Sequence, residues 1–293
     1  MGQTPFDSLF PPLPEGFLMP FWYASLQSLW VYYPVEPDLL RERIPVLDGE
    51  MALEPALFDI GGSRLGLASV DFQIYTSHGG TYLATVREVE FNVYTYPKAR
   101  EPLVPRMTLD QYLAGEDQTK SIGGLRLHVP CDNPIAVQAG QKLFGEPKYP
   151  AIFTYTAPTL NDPSVTSWQY SVYQDDQSKQ GDLIWSMSVE LGSVPVVQDN
   201  PSPLVEYGVV LETGGVRRLV GNEWSFYGPF QGYRFDSANQ PPITIDYGNP
   251  ATDPTNTIAD LQLLIGQTQP VAAQAFQSAP VSSECRATYA VPA

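Results

Sequence analysis

Lys148 stands in the run Leu143-Phe144-Gly145-Glu146-Pro147-Lys148-Tyr149-Pro150-Ala151-Ile152-Phe153, bracketed by prolines and by aromatic and aliphatic neighbours. The other lysines, Lys98, Lys120, Lys142 and Lys179, keep polar company. Its flanking prolines hold Lys148 outside a regular helix. Neighbours of this kind can desolvate an amine. Burial disfavours the ammonium form, lowers the pKa and leaves a free amine able to attack a carbonyl. The same residues also fit a lysine on the surface of a turn. Because lysine is rarely buried, the segment taken alone favours that blander reading.

Other chemistries find less support. His78 lies in Thr76-Ser77-His78-Gly79-Gly80, which reads as a solvated turn, and His128 alternates with leucines as a strand histidine with a satisfied ring. Neither has the spacing of a zinc site, so no metal is expected. The glycine pairs form no dinucleotide or phosphate loop, and no nucleophile elbow is present. With two histidines in the chain, nothing recommends a serine triad. Cys131 and Cys285 are far apart, and the sequence leaves open whether they pair.

The elements that must position Lys148 are short. Residues 133–144 have helical spacing with a small-residue face and end at Gly145, a C-cap residue. Strand patterns follow from 151 to 232. Before them, 28–33, 51–60, 66–75 and 82–96 read as strands, with a turn at 61–63 and a two-turn helix from Pro37. Residues 257–266 fit helix or strand equally, and Cys285–Tyr289 reads as a closing strand. With 29 prolines and 12% aromatic residues, the class is mainly β, of α+β type with a few short helices. No linker divides the chain, so one domain over 1–293 is expected. Residues 1–25 would form a packed N-terminal arm and 97–122 an insertion or lid.

The formal charge of −16 argues against nucleic acid and anionic membrane surfaces as partners. It also means that an anionic substrate would need a local cation. No secretory signal or spanning segment is evident, so a cytoplasmic protein is expected.

The segment Gly140-Gln141-Lys142-Leu143-Phe144-Gly145-Glu146-Pro147-Lys148 resembles the lysine motif of the acetoacetate decarboxylase family, in which a glycine-led helix ends in Pro-Lys. Three further stretches resemble the family in the same order. They are Val31-Tyr32-Tyr33 through Ile44-Pro45, Thr85 to Val93 around Glu88, and Asn222-Glu223-Trp224 through Gly228-Pro229. Together they cover about 30 to 290.

This resemblance implies a β-barrel with flanking helices, homo-oligomeric assembly, no cofactor, and an imine between Lys148 and a small oxo acid. The protonated imine withdraws electrons, so a carboxylate can leave as CO2 and the resulting enamine is protonated and hydrolysed. Decarboxylation of a 3-oxo acid is the first expectation. Aldol condensation with dehydration, or cyclisation, of 2-oxo acids on the same lysine is the second. A non-catalytic ligand-binding barrel is the third. By the same resemblance Glu88 is the carboxylate near the imine, with Glu90 on its face, and Tyr289 is the assisting tyrosine. Arg87, Tyr149 and Glu146 are candidates for binding substrate. The chain departs from the family in carrying Tyr149 where the decarboxylases have a second lysine, and Ser25-Leu26-Gln27 where an early-strand arginine would hold the substrate carboxylate.

Overall fold

The computed structural model describes residues 13–47, 52–79, 82–159, 164–176, 180–211, 215, 217–236 and 239–278. Tyr289, Cys285 and the strand expected there lie outside these residues, as do Lys179 and the first twelve residues of the expected arm.

Three long strands dominate: β1 (Trp22–Val35), β4 (Ser63–Gly79) and β5 (Tyr82–Pro97) run antiparallel side by side. Short α1 (Pro37–Arg41), β2 (Leu53–Pro55) and β3 (Phe58–Ile60) precede β4. After β5 come α2 (Leu109–Leu113), β6 (Gly123–Cys131), α3 (Pro134–Ala139) and β7 (Lys148–Thr156). The chain continues through β8 (Ser167–Asp175), β9 (Gln180–Glu190), β10 (Val196–Asp199), β11 (Leu204–Leu211) and β12 (Arg217–Trp224). It then forms β13 (Phe230–Arg234), β14 (Ile243–Tyr247), α4 (Thr257–Leu264) and β15 (Ala272–Gln277). The sheet order is β10-β13-β15-β1-β4-β5-β6-β7-β8-β9-β14, with β11 joining β6.

Mainly β structure with a few short helices is as the sequence suggests. Closure is not: among the described residues β10 and β14, at the two ends of that order, do not pair, so the expected barrel is a large mixed sheet that does not close. The ambiguous segment after Asn256 is helical. His78 is an exposed residue near the end of β4, paired with Trp22 and Leu83, and not in a turn. Cys131 is buried. No helix among the described residues is long and apolar enough to cross a membrane.

Strand alternation sorts the central sheet into two faces. Leu29, Val31 and Tyr33 of β1, Val70 and Phe72 of β4, and Val89, Phe91 and Val93 of β5 enter one large apolar core with β7, β8 and β9. The intervening residues face the other side, where Leu26, Trp30 and Tyr32 pack on an aromatic cluster. That second cluster also takes Met107, Leu109, Tyr112, Leu113 and Ile122, so much of the 97–122 segment is built into the interior. Thr108 caps α2 through a reciprocal capping box with Gln111.

On this second face the strands also bury a line of polar groups: Ser69, Asp71 and Gln73 of β4, and Glu88, Glu90 and Asn92 of β5. Burying charge is costly unless it is paired. The pairing of these groups defines the site.

Candidate active site around Lys148

The lysine is placed by a compact local device. Asn133 caps α3 by accepting from the amides of Ile135 and Ala136. After Ala139 the helix widens into one π turn over Gly140–Phe144, and Gly145 stops it in the left-handed region at φ 64°. The chain then doubles back: the Glu146 amide donates to the Gly140 carbonyl at 3.0 Å. The Gln141 side chain donates to the Lys148 carbonyl at 2.6 Å. Lys148 opens β7, which pairs in parallel with β6. A Cβ at Gly140 would overlap Glu146 Oε2 and the Lys148 side chain, so the glycine of the motif is the space through which the lysine passes.

Lys148 is buried, and its Nζ lies 2.7 Å from Glu88 Oε2 and 3.1 Å from Glu146 Oε2. Tyr75 donates to the same Glu88 oxygen at 2.9 Å. Behind this pair sits Arg126, whose Nη2 is 2.5 Å from Glu206, Nε 2.9 Å from Glu90 and Nη1 3.5 Å from Glu146. Asn92 then links Glu90 to Asp71, donating to both at 3.1 and 2.7 Å. One polar chain thus runs from Tyr75 through Lys148 and Arg126 to the middle of the sheet.

The electrostatics correct one expectation. Burial alone would lower the Lys148 pKa, but the carboxylates of Glu146 and Glu88 outweigh it and hold the ammonium well above its ordinary value. At rest, then, Lys148 is charged. Burial raises Glu88, only partly opposed by Lys148, whereas Glu146 is drawn down on balance by Lys148 and Arg126 against its burial. Burial likewise pushes Glu206 up to about 7 in spite of Arg126, and raises Asp71 well above the carboxylate range with help from Glu90. Glu88, raised, and Glu146, lowered, both touch the one amine, so two carboxylates of different proton affinity meet at its nitrogen.

The remaining sequence candidates fall elsewhere. Arg87 points to the opposite face of β5, where it pairs with Asp132 at 2.6 Å and lies over the Tyr155 ring. Tyr149 turns away from Lys148 and shares a 2.8 Å hydrogen bond with Thr257. His128 is satisfied by Asp260 at 2.8 Å. Glu88, Glu146 and Lys148 therefore converge, whereas Arg87 and Tyr149 do not join them. Sequence reasoning missed Arg126, Glu206 and Tyr75. A signal existed for Arg126, a lone cation between Leu125 and Leu127 in a strand; Glu206 and Tyr75 carry none.

The cavity in front of Lys148 has a volume of about 140 Å³ and is walled by Phe17, Pro20, Phe21, Tyr23, Ile135, Ala139 and Phe144 on its apolar sides. Phe17 is buried against Ala139 and Leu143, so this part of the expected N-terminal arm is a wall of the site. Among the described residues no group of side chains is set to hold a metal ion.

No family model matches the sequence, and no curated protein matches it. Solved structures do share its fold. The enduracididine biosynthesis enzyme MppR, complexed with pyruvate, superposes with a TM-score of 0.55 at 13% identity, covering 87% of this chain and 85% of that one. An acetoacetate decarboxylase-like enzyme from Sphingomonas wittichii RW1 gives 0.52 at 13% identity, covering 87% of each chain. Acetoacetate decarboxylase gives 0.50 at 12% identity over 94% of this chain and 92% of that one. The chain therefore has the acetoacetate decarboxylase-like fold.

Proposed function

We propose that this protein is an imine-forming enzyme in which Lys148 condenses with the carbonyl of a small substrate. The observation that carries this reading is the placement of a buried amine at the end of a small cavity, between two carboxylates of opposite tendency. The ammonium first gives its proton to Glu88, whose pKa burial has raised toward it. The free amine adds to the carbonyl carbon. The carbinolamine oxygen is protonated and leaves as water, giving the iminium, and loss of a proton or a carbon substituent at the adjacent carbon gives the enamine.

Decarboxylation of a 3-oxo acid and aldol condensation with dehydration share this enamine. The second is favoured by the presence of two carboxylates on the one nitrogen. Condensation needs a base to remove a proton from carbon and an acid to expel hydroxide, whereas decarboxylation needs no base at carbon. Glu88 is suited to the first task through its contact with Nζ, and Tyr75 holds it in place at 2.9 Å.

The test is reductive trapping. Mixing the protein with a panel of carbonyl compounds (pyruvate, acetoacetate, acetone) and borohydride should add the mass of the reduced substrate, and Lys148→Ala should abolish the adduct while remaining folded by circular dichroism. Absence of an adduct with every carbonyl, or its persistence in the variant, would refute the imine.

A further inference from the structure

Among the described residues lining the lysine cavity five are glutamates, Glu88, Glu90, Glu146, Glu206 and Glu223, against two cations, Lys148 and Arg126. Both cations are already held between carboxylates at 2.5–3.5 Å. Protonating Glu206 and Glu88 still leaves the described lining without a surplus of positive charge. Arg87, which could have supplied it, faces the other way. An incoming carboxylate would thus enter a buried site where like charges outnumber its partners, at distances where such repulsion is poorly screened. A neutral oxygen meets a different reception. Arg126 Nη1, buried and 3.5 Å from Glu146, makes no hydrogen bond to it, so this donor can also meet an uncharged acceptor.

The cavity is also not isolated. Pro20, Phe21, Tyr23, Glu223 and Trp224 line both it and an adjoining cleft of about 900 Å³. Ring contacts form a path from one to the other. Tyr75, the partner of Glu88, meets Tyr23 at 5.0 Å between centroids, and Tyr23 meets Trp224 at 5.1 Å. Trp224 continues to Phe226 at 4.5 Å, and Phe226 to Phe276 at 5.3 Å. The outer rim leaves Trp22 57% and Tyr227 85% exposed, an unusual outlay of large apolar side chains on a chain with a net charge of −16. Aromatic surface graded inward to a buried amine suits a ligand with an apolar body and a polar reactive end.

Resting on the imine reading, we infer that the carbonyl substrate is not an oxo acid but an uncharged ketone or aldehyde with an apolar ring-sized body. The carbonyl reaches Lys148 past Tyr23, and the body lies in the aromatic cleft between Trp224 and Phe276. The continuity of cleft and cavity, together with the charge of the cavity, selects this occupant over a second protein chain.

The probes are 4-phenyl-2-butanone, 4-phenyl-2-oxobutanoate, which adds a carboxylate to the same skeleton, and acetone, which lacks the ring. The concentration giving half-maximal borohydride adduct is read by intact mass, and binding without reductant by calorimetry. The neutral phenyl ketone should half-saturate at a concentration at least about tenfold below its oxo-acid counterpart and below acetone. Trp224→Ala should weaken the phenyl ketone about tenfold more than it weakens acetone. An oxo acid trapped as readily as the ketone would overturn the inference and leave the imine standing. A Trp224→Ala variant that changes oligomeric state but not the phenyl preference would also overturn it, and would mark the cleft as a surface between copies. If no carbonyl is trapped, the imine reading fails, and the calorimetric preference for ketone over oxo acid still decides the substrate class.

Discussion

Arg87 and Glu88 are consecutive on β5, point to opposite faces, and each is half of an ion pair. Arg87 meets Asp132 at 2.6 Å with 38% of its side chain exposed, whereas Glu88 meets Lys148 at 2.7 Å with both side chains 5% exposed. The distances are nearly equal and the consequences are not. Water around Arg87 screens the attraction of the first pair and offers the guanidinium an alternative, so little stability comes of it, and burial leaves Asp132 with a raised pKa that no amine nearby uses. Around the second pair water is excluded, the carboxylates differ in proton affinity, and the amine holds its proton by their grace. The comparison teaches that the chemistry of this site comes from burial of the ion pair more than from the pair itself.

Glu88→Gln attacks the buried side of that contrast most directly. It removes the acceptor for the lysine proton while keeping the shape and the Tyr75 contact, and should lower turnover about 10²–10⁴-fold. Its signature is a pH profile shifted from wild type. A merely structural Glu88 would lower melting temperature and leave the profile in place.

Glu206 supplies a smaller effect on stability. Burial lifts its pKa from 4.5 to about 7 in the folded chain. Between pH 4.5 and about 7 the unfolded chain releases this proton and the folded chain keeps it. Stability therefore falls as pH rises through that window and levels above it, by roughly 3 kcal/mol. Glu206→Gln should flatten this slope in melting curves recorded from pH 4 to pH 8. An unchanged slope would show that Glu206 ionises as an exposed carboxylate does.

The smallest effect is expected on the open side. Arg87→Ala should cost under about 1 kcal/mol in denaturant titrations and leave substrate trapping unchanged. Loss of trapping would mean that Arg87 reaches substrate, and that the two faces of β5 are not as separate as their contacts indicate.

How much of this was legible in the sequence depends on distance along the chain. The lysine device is local: Gly140, Gly145, Pro147 and Lys148 lie within nine residues, and a helix ending at a glycine before a strand can be read from spacing. The alternation of β5 also reads directly, since Val89, Phe91 and Val93 mark one face and leave Glu88, Glu90 and Asn92 on the other. Whether that other face meets water or interior is not local. It is decided by Arg126 on β6, which reaches Glu90 and Glu146, and by Glu206 on β11, which reaches Arg126, once the strands have paired. The pKa of Lys148 is only partly non-local. An apolar sequence neighbourhood predicts a lowered value, but Glu146, two residues away, and Glu88, sixty residues away in the chain, raise it. Arg87 sits one residue from Glu88, and one residue of offset on a strand reverses the face, which puts it beside Asp132 and away from Lys148. The sheet's failure to close depends on the relation between its two end strands, which no single segment contains.

The central claim is that Lys148 is the reactive amine and is protonated at rest. Peptide mapping of the borohydride-reduced adduct as a function of pH tests both parts at once. The modification should fall on the peptide carrying Lys148, with yield rising as pH increases and with Glu88→Gln altering that rise. An adduct spread over Lys98, Lys120 and Lys142, or a yield at Lys148 that does not respond to pH, would contradict the account.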